Sequence, residues 1–189
     1  MEKLKKIVAA KAEVISESIL KVDSFLNHQI DCELMDDIGK DFFDFFKTKN
    51  IDRILTIEAS GIAIGMTTAK LFQKPFVFAK KKKPNTMLGK VLSTKVTSFT
   101  KNIDYSISLS NEFINLGENI LIVDDFLARG NAALGLCNLV EQAGAIVAGI
   151  GIVIEKSFQP GRKKLLEKGY DLCSLIRIKS LNNNRIDFY

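Results

Sequence analysis

The sequence has no tryptophan, a single histidine and three cysteines. One histidine, His28, cannot build a histidine-rich metal site, and Cys32, Cys137 and Cys173 are odd in number, far apart and without a CxxC spacing. Structural zinc and a disulfide framework are therefore both excluded as organising devices, and the cysteines read as small apolar residues in a reducing compartment. No apolar run approaches the roughly 18–20 residues that cross a bilayer. The opening MEKLKKIVAAKAEV interleaves charge where a signal peptide would be continuously apolar. No membrane association and a cytoplasmic location are the expectations. Acidic residues are missing from one long stretch, 80–101, which carries seven lysines at positions 80, 81, 82, 83, 90, 95 and 101.

What remains is ordinary for a folded protein. A chain of 189 residues, 47% hydrophobic and 26% charged, suits one domain with a full core and excludes wholesale disorder. The net charge of +5 suits an anionic partner without choosing among phosphate metabolites, nucleic acid and a membrane surface.

Along the chain the pattern changes once. Leu4, Ile7, Val8, Val14, Ile15, Ile19 and Val22 are spaced for one or two amphipathic helices, and residues 23–32 break the rhythm as a loop. A further helix follows with Leu34, Met35, Ile38, Phe42, Phe45 and Phe46 on one side, the phenylalanines as core. From residue 50 onward strand alternates with helix. Arg53–Ile57 reads as a strand, 62–72 as a helix, Phe76–Ala79 as a strand, and 91–99 with 105–109 as a hairpin. Then come a strand at 119–123, a helix at 130–142, a strand at 145–154, a short helix after Pro160 and a strand at 172–178. Continuous apolar strands alternating with helices predict an α/β fold: a central, mostly parallel sheet flanked by helices on both faces. Ligands in such sheets gather beyond the carboxyl ends of the strands.

At one of those ends the sequence runs Ile120-Leu-Ile-Val-Asp-Asp-Phe-Leu-Ala-Arg-Gly-Asn-Ala-Ala133. Neighbours on an extended chain point to opposite sides, so Asp124 and Asp125 cannot duplicate each other. Carboxylates accept hydrogen bonds from vicinal hydroxyls and suit a hard cation such as magnesium, directly or through water. Residues Ala128, Arg129, Gly130, Asn131 and Ala132 then offer successive backbone amides to an anion where a helix begins, with Gly130 allowing a tight turn and Arg129 a cation. The Glu58-Ala59-Ser60-Gly61 turn, between strand and helix, can present amides in the same way.

Strand, paired acids, short loop and helix together resemble the phosphoribosyl-diphosphate (PRPP) motif of the type I phosphoribosyltransferases. That family often flanks the loop glycine with threonines; Arg129 and Ala132 occupy those places here, so the phosphate grip must shift from hydroxyls to backbone amides. Four further segments narrow the likeness to the bacterial xanthine phosphoribosyltransferases within the family. They are 20–31 (LKVDSFLNHQID), 56–63 (TIEASGIA), 123–128 (VDDFLA) and 149–162 (GIGIVIEKSFQPGR), and they occur in the same order.

The resemblance implies a single phosphoribosyltransferase domain over 1–189, with 1–50 contributing a small N-terminal hood and helices, and a flexible hairpin or loop excursion within 80–104. It implies transfer of the 5-phosphoribosyl group from PRPP to N9 of xanthine in purine salvage, with Mg2+ carried mainly on PRPP and no dedicated protein cage. By the same likeness Leu20, Asn27 and Lys156 meet the base, with Phe126 as a further base contact. Asp124 and Asp125 serve the ribose and the charge balance. The amides of residues 128–132 hold the 5-phosphate, and Ala59, Ser60, Gly61, Lys80 and Lys81 meet the diphosphate. A strained or cis peptide in the 58–61 turn and a homodimer are implied too. Guanine or hypoxanthine as the preferred base stays open, as does a PRPP-sensing regulator that binds nucleic acid. Against the latter, the lysine stretch lacks regular aromatic interleaving.

Overall fold

A computed structural model describes residues 1–82, 87, 89–98, 103–182 and 185–189. Lys83, Lys101 and the turn expected at 100–104, as far as residue 102, lie outside the described residues.

The chain opens with α1 (Glu2–Lys11), a hairpin of β1 (Glu13–Ser16) and β2 (Ile19–Lys21), a π-helical turn over Asp23–Asn27 and α2 (Cys32–Phe46). It continues through β3 (Arg53–Ile57), α3 (Gly61–Phe72), β4 (Phe76–Ala79), β5 (Val91–Ser98) and β6 (Ile103–Ser110). Then follow β7 (Asn119–Leu127), α4 (Asn131–Gln142), β8 (Ile146–Lys156), α5 (Gly161–Glu167), β9 (Leu172–Asn182) and β10 (Arg185–Phe188). Six strands form the central sheet in the order β10-β9-β8-β7-β3-β4, parallel except for β10. Apart from it, β5 and β6 pair antiparallel in unbroken register from Val91↔Ser110 to Ser98↔Ile103.

Alternation along the strands divides the core between the two faces. Leu121 and Val123 of β7 join Leu4 and Val8 of α1, Leu34, Ile38, Phe42 and Phe46 of α2 and Ile64 of α3. Ile120 and Ile122 join Leu136, Leu139 and Val140 of α4, Leu165 of α5 and Leu92, Val96 and Ile107 of the β5–β6 hairpin. Burial on both sides is why these strands read as unbroken apolar runs. α2 starts where Asp31 accepts a hydrogen bond from the Leu34 amide at 3.1 Å, an N-cap on one of the helix's free donors.

Several expectations need correction. The helical spacing expected through Val22 stops at Lys11; Val14 and Ile19 lie in a hairpin with a register irregularity between Val14 and Ser16. The apolar positions there fit either period, and the exposed faces of Ile15 and Ile19 show that no helix-wide stripe is buried. The loop expected at 23–32 holds a π-helical turn that buries Phe25 and Leu26. Phe45 leaves the core face of α2, half exposed with its ring edge-on to Phe46 at 4.8 Å. β9 runs on to Asn182, and β10 was not anticipated.

Candidate active site

β7 extends past the acid pair to Leu127, so Asp124 and Asp125 lie within the strand rather than beyond it. Both are buried, at 5% and 8% exposure. Each carboxylate accepts the next residue's amide: Asp125 N–H donates to Asp124 Oδ1 at 3.0 Å, and Phe126 N–H to Asp125 Oδ1 at 2.9 Å. The two side chains have different surroundings. Asp125 reaches the hood, where Asn27 Nδ2 donates to its Oδ2 at 3.2 Å. Asp124 acts on the other side, where its charge adds to burial in raising the Tyr105 phenol, and the Lys81 charge favours the ionised form of Asp124. Burial, with the neighbouring Asp125 charge, pushes the Asp124 carboxyl well above its ordinary range.

Beneath the pair, the buried Thr56 hydroxyl donates to the Val123 carbonyl at 2.6 Å and ties β3 to β7. A Cβ built on Gly61 would lie 3.3 Å from Asp124 Oδ1, so the first turn of α3 abuts that carboxylate. The preceding Glu58–Ala59 peptide is cis. Glu58 Oε1 accepts the Lys81 amide at 2.6 Å, joining this turn to the chain leaving β4.

Beyond Leu127 the chain turns tightly at Gly130, φ 81°, and enters α4. Residues 128–132 line a cleft of about 170 Å³ with Phe126, Thr97 and Tyr105. The turn is held from outside: Gly161 N–H donates to the Ala128 carbonyl at 2.9 Å, and Asn131 Nδ2 donates to the Thr97 carbonyl of β5 at 3.0 Å. Arg129 is exposed at its edge.

Lys156, expected after the strand, is the last residue of β8. Its ammonium donates to the Ser18 carbonyl in the β1–β2 turn at 2.8 Å and lies over the Phe126 ring, 5.0 Å from its centroid. Burial lowers its pKa, while the Asp125 charge works the other way. Leu20 is buried in β2. The hood therefore brings Asn27 to Asp125 and the Ser18 turn to Lys156, on one side of the acid pair.

A model of the phosphoribosyl transferase domain matches residues 22–185 of the chain. The chain belongs to that family. Among phosphoribosyltransferases, it is 52% identical over 188 residues to xanthine phosphoribosyltransferase 1 of Clostridium botulinum strain Hall, covering 100% of this chain and 99% of that protein. With the xanthine phosphoribosyltransferase of Clostridium acetobutylicum it shares 52% identity, each chain covered in full. The crystal structure of adenine phosphoribosyltransferase from Rhodothermus marinus superposes with a TM-score of 0.75 at 22% identity, over 94% of this chain and 100% of that one, which speaks to the fold alone.

Against this phosphoribosyltransferase frame the two lysines after β4 part company. Lys80 is pinned by two backbone hydrogen bonds to Ser108, each 2.8 Å, and its ammonium lies 5.5 Å from the Phe78 centroid in a separate cleft with Phe76 and Met87. Lys81 is the lysine near the acid pair. Thr56, Glu58, Glu155 and Gly161 stand in segments that carry the family likeness, and Tyr105 in the expected hairpin, yet none was singled out for a role of its own. Only Gly161 carried a signal: a glycine after proline at the start of a short helix, where Pro160 alone explained the turn.

Proposed function

We propose that this phosphoribosyltransferase joins xanthine to the 5-phosphoribosyl group of PRPP, giving xanthosine 5-phosphate and diphosphate in purine salvage. One observation carries the reading: the buried acid pair and the amide-rich turn after β7 lie beside two side-chain donors, Asn27 Nδ2 and Lys156 Nζ, at the hood. Oxopurines display carbonyl acceptors, and adenine presents an amino donor at the six position instead, for which an ammonium has no acceptor. The relatives named for xanthine support that base among the oxopurines.

In this reading the purine lies between Leu20 and Phe126 and is addressed by Asn27 and Lys156. Asp124 and Asp125 accept from the ribose hydroxyls. The amides of Ala128, Arg129, Gly130, Asn131 and Ala132 hold the 5-phosphate, at the start of a helix whose free donors suit an anion. Ala59, Ser60 and Gly61 with Lys81 serve the diphosphate, Lys80 from further away. N9 of xanthine attacks C1 of the ribose as diphosphate departs with the bonding electrons, so the anomeric centre inverts and the proton of the base's imidazole ring is released to solvent. The protein aligns the reactants and stabilises the leaving charge. Among the described residues there is no cluster of three metal-ligating side chains. The hard oxygens of Asp124 and Asp125 fit a magnesium ion brought in on PRPP, directly or through water. Such an ion would supply charge neutralisation for the departing diphosphate. A homodimer and a cytoplasmic location complete the reading, the latter consistent with three free cysteines.

Initial rates with xanthine, guanine, hypoxanthine and adenine, each with PRPP and magnesium, test it. Xanthine should exceed the others in kcat/KM by about 100-fold or more. Comparable efficiency with guanine would overturn the choice of base, and PRPP binding without product from any of the four would overturn the activity. Sedimentation should give twice the chain mass.

A further inference from the structure

Adjacent residues at the end of β8 point different ways. Lys156 reaches the hood, and Glu155 goes into the space between β8, β9 and α5, its side chain 1% exposed. Four donors meet the Glu155 carboxylate there. Ser157 Oγ donates to Oε1 at 2.5 Å and Arg177 Nε at 3.2 Å; Ser174 Oγ donates to Oε2 at 2.5 Å and Arg162 Nη1 at 2.7 Å. Burial alone would push this carboxyl up, and the bonds from Ser157, Ser174 and Arg162 outweigh it and hold it below its ordinary range. A buried carboxylate with every oxygen engaged fixes geometry more than it adds stability, since apolar residues of similar volume are often as stable in such a place.

What it fixes is two-sided. On one side its own backbone continues into Lys156. On the other it holds Arg162, the residue after Gly161. Gly161 is pressed against the phosphate turn: its amide donates to Ala128 O at 2.9 Å, and a Cβ there would come within 2.4 Å of Ala128 O and 2.8 Å of Gly130 N. Moving Arg162 therefore moves the floor under residues 128–130.

We infer that Glu155 is a positioning residue that holds the base-binding Lys156 and the 5-phosphate turn in one fixed relation, through Arg162 and Gly161. The inference rests on the proposed function in both arms, the base arm on Lys156 meeting xanthine and the phosphate arm on residues 128–132 holding the 5-phosphate. Glu155 touches no substrate; it acts through its neighbours, where misplacement by about 1 Å can cost on the order of 100-fold.

The test pairs Glu155→Gln, which keeps shape and removes charge, with Arg162→Met, whose side chain is 30% exposed and which leaves Ser157, Ser174 and Arg177 on the Glu155 carboxylate. PRPP affinity is read by calorimetry with magnesium and no base; xanthine KM is read at saturating PRPP. Glu155→Gln should weaken both by about 10-fold, and Arg162→Met should weaken PRPP by about as much while moving xanthine KM less than about 2-fold. A lower melting temperature with both constants unchanged would make Glu155 merely structural and end the proposal. If Glu155→Gln fails to fold, Arg162→Met decides, and unchanged PRPP affinity overturns the coupling. Should the wild-type protein bind PRPP and leave xanthine unreacted, the base reading falls, and the PRPP arm still decides the role of Glu155 at the phosphate turn.

Discussion

Asn27 of the hood donates its side-chain amide to Asp125 of β7 at 3.2 Å, across 98 positions of the chain. In the proposed reaction these residues serve different substrates, the base and the ribose. Without ligand they satisfy each other. Asn27→Ala should therefore lower kcat/KM for xanthine by about 10-fold, the worth of one hydrogen bond near charge. It should raise PRPP KM less than about 3-fold, because water can take the vacated place on Asp125. Initial rates varying each substrate in turn check this; equal losses in both would make Asn27 a support for Asp125 instead.

Lys156 is held between the Ser18 carbonyl and the Phe126 ring, and partial burial lowers its pKa. Lys156→Met keeps the stem and deletes the ammonium. A charged hydrogen bond to a purine carbonyl is worth enough that kcat/KM for xanthine should fall by about 10- to 100-fold. PRPP affinity, measured by calorimetry, should stay within about 2-fold. A matching loss of PRPP affinity would reassign this lysine to the phosphate side.

Asp124 makes stability depend on pH in a direction unusual for a carboxylate. Its ordinary value is 3.8, and burial beside Asp125 raises it in the folded state. The folded protein therefore binds a proton more readily than the unfolded chain. This contribution to stability is fully present below the unfolded value and is lost as pH rises through the raised folded value. Asp124→Asn removes the effect. Ligand-free melts at pH 5 and pH 8 should show a higher Tm for Asp124→Asn than for wild type at pH 8, by about 2–4 °C for each kcal/mol regained. The difference should shrink at pH 5. Activity should fall with the loss of the carboxylate, and a variant less stable than wild type at pH 8 would contradict the account.

Much of this was legible from residue order because the parallel sheet writes itself plainly. Arg53–Ile57 and Phe76–Ala79 are strands with the bounds read from apolar runs and their Gly and Pro punctuation. Asp124 and Asp125 stand out as two charges at the end of such a run. The hood was harder: Val14 and Ile19 satisfy a helical spacing as well as a strand's, and only the pairing of Val14 with Leu20 decides between them. Periodicity likewise cannot tell which of two adjacent lysines turns inward. The hydrogen bonds of Lys80 to Ser108 set that, and they depend on a hairpin partner distant in sequence. Glu155 is hidden for the same reason. In the sequence it is an acid beside a lysine; apart from nearby Ser157, its donors come from Ser174 and Arg177 on β9 and Arg162 on α5, which only the folded chain assembles.

Gly161 offers the sharpest test of the phosphate turn, because its substitution acts on backbone and removes no side chain. A methyl group there would collide with the Ala128 carbonyl and the Gly130 amide, neither of which is the movable end of a flexible side chain. Gly130 itself turns at φ 81°, a conformation that glycine adopts without a steric penalty, and it lies against Gly161 across the turn. Gly161→Ala must then push residues 128–130 away from α5 and change the direction of the amides proposed to hold the 5-phosphate. The expected result is a rise in PRPP KM of about 100-fold. Xanthine KM at saturating PRPP should change little, since Lys156 and Asn27 are anchored to β8 and the hood. Melting temperature supplies the control: the turn lies beyond the carboxyl end of β7, outside the strand ladder, so a variant that has lost PRPP binding should still unfold cooperatively. If Gly161→Ala binds PRPP as wild type does, the backbone amides of this turn are not the phosphate grip, and Arg129 or the lysines must carry it.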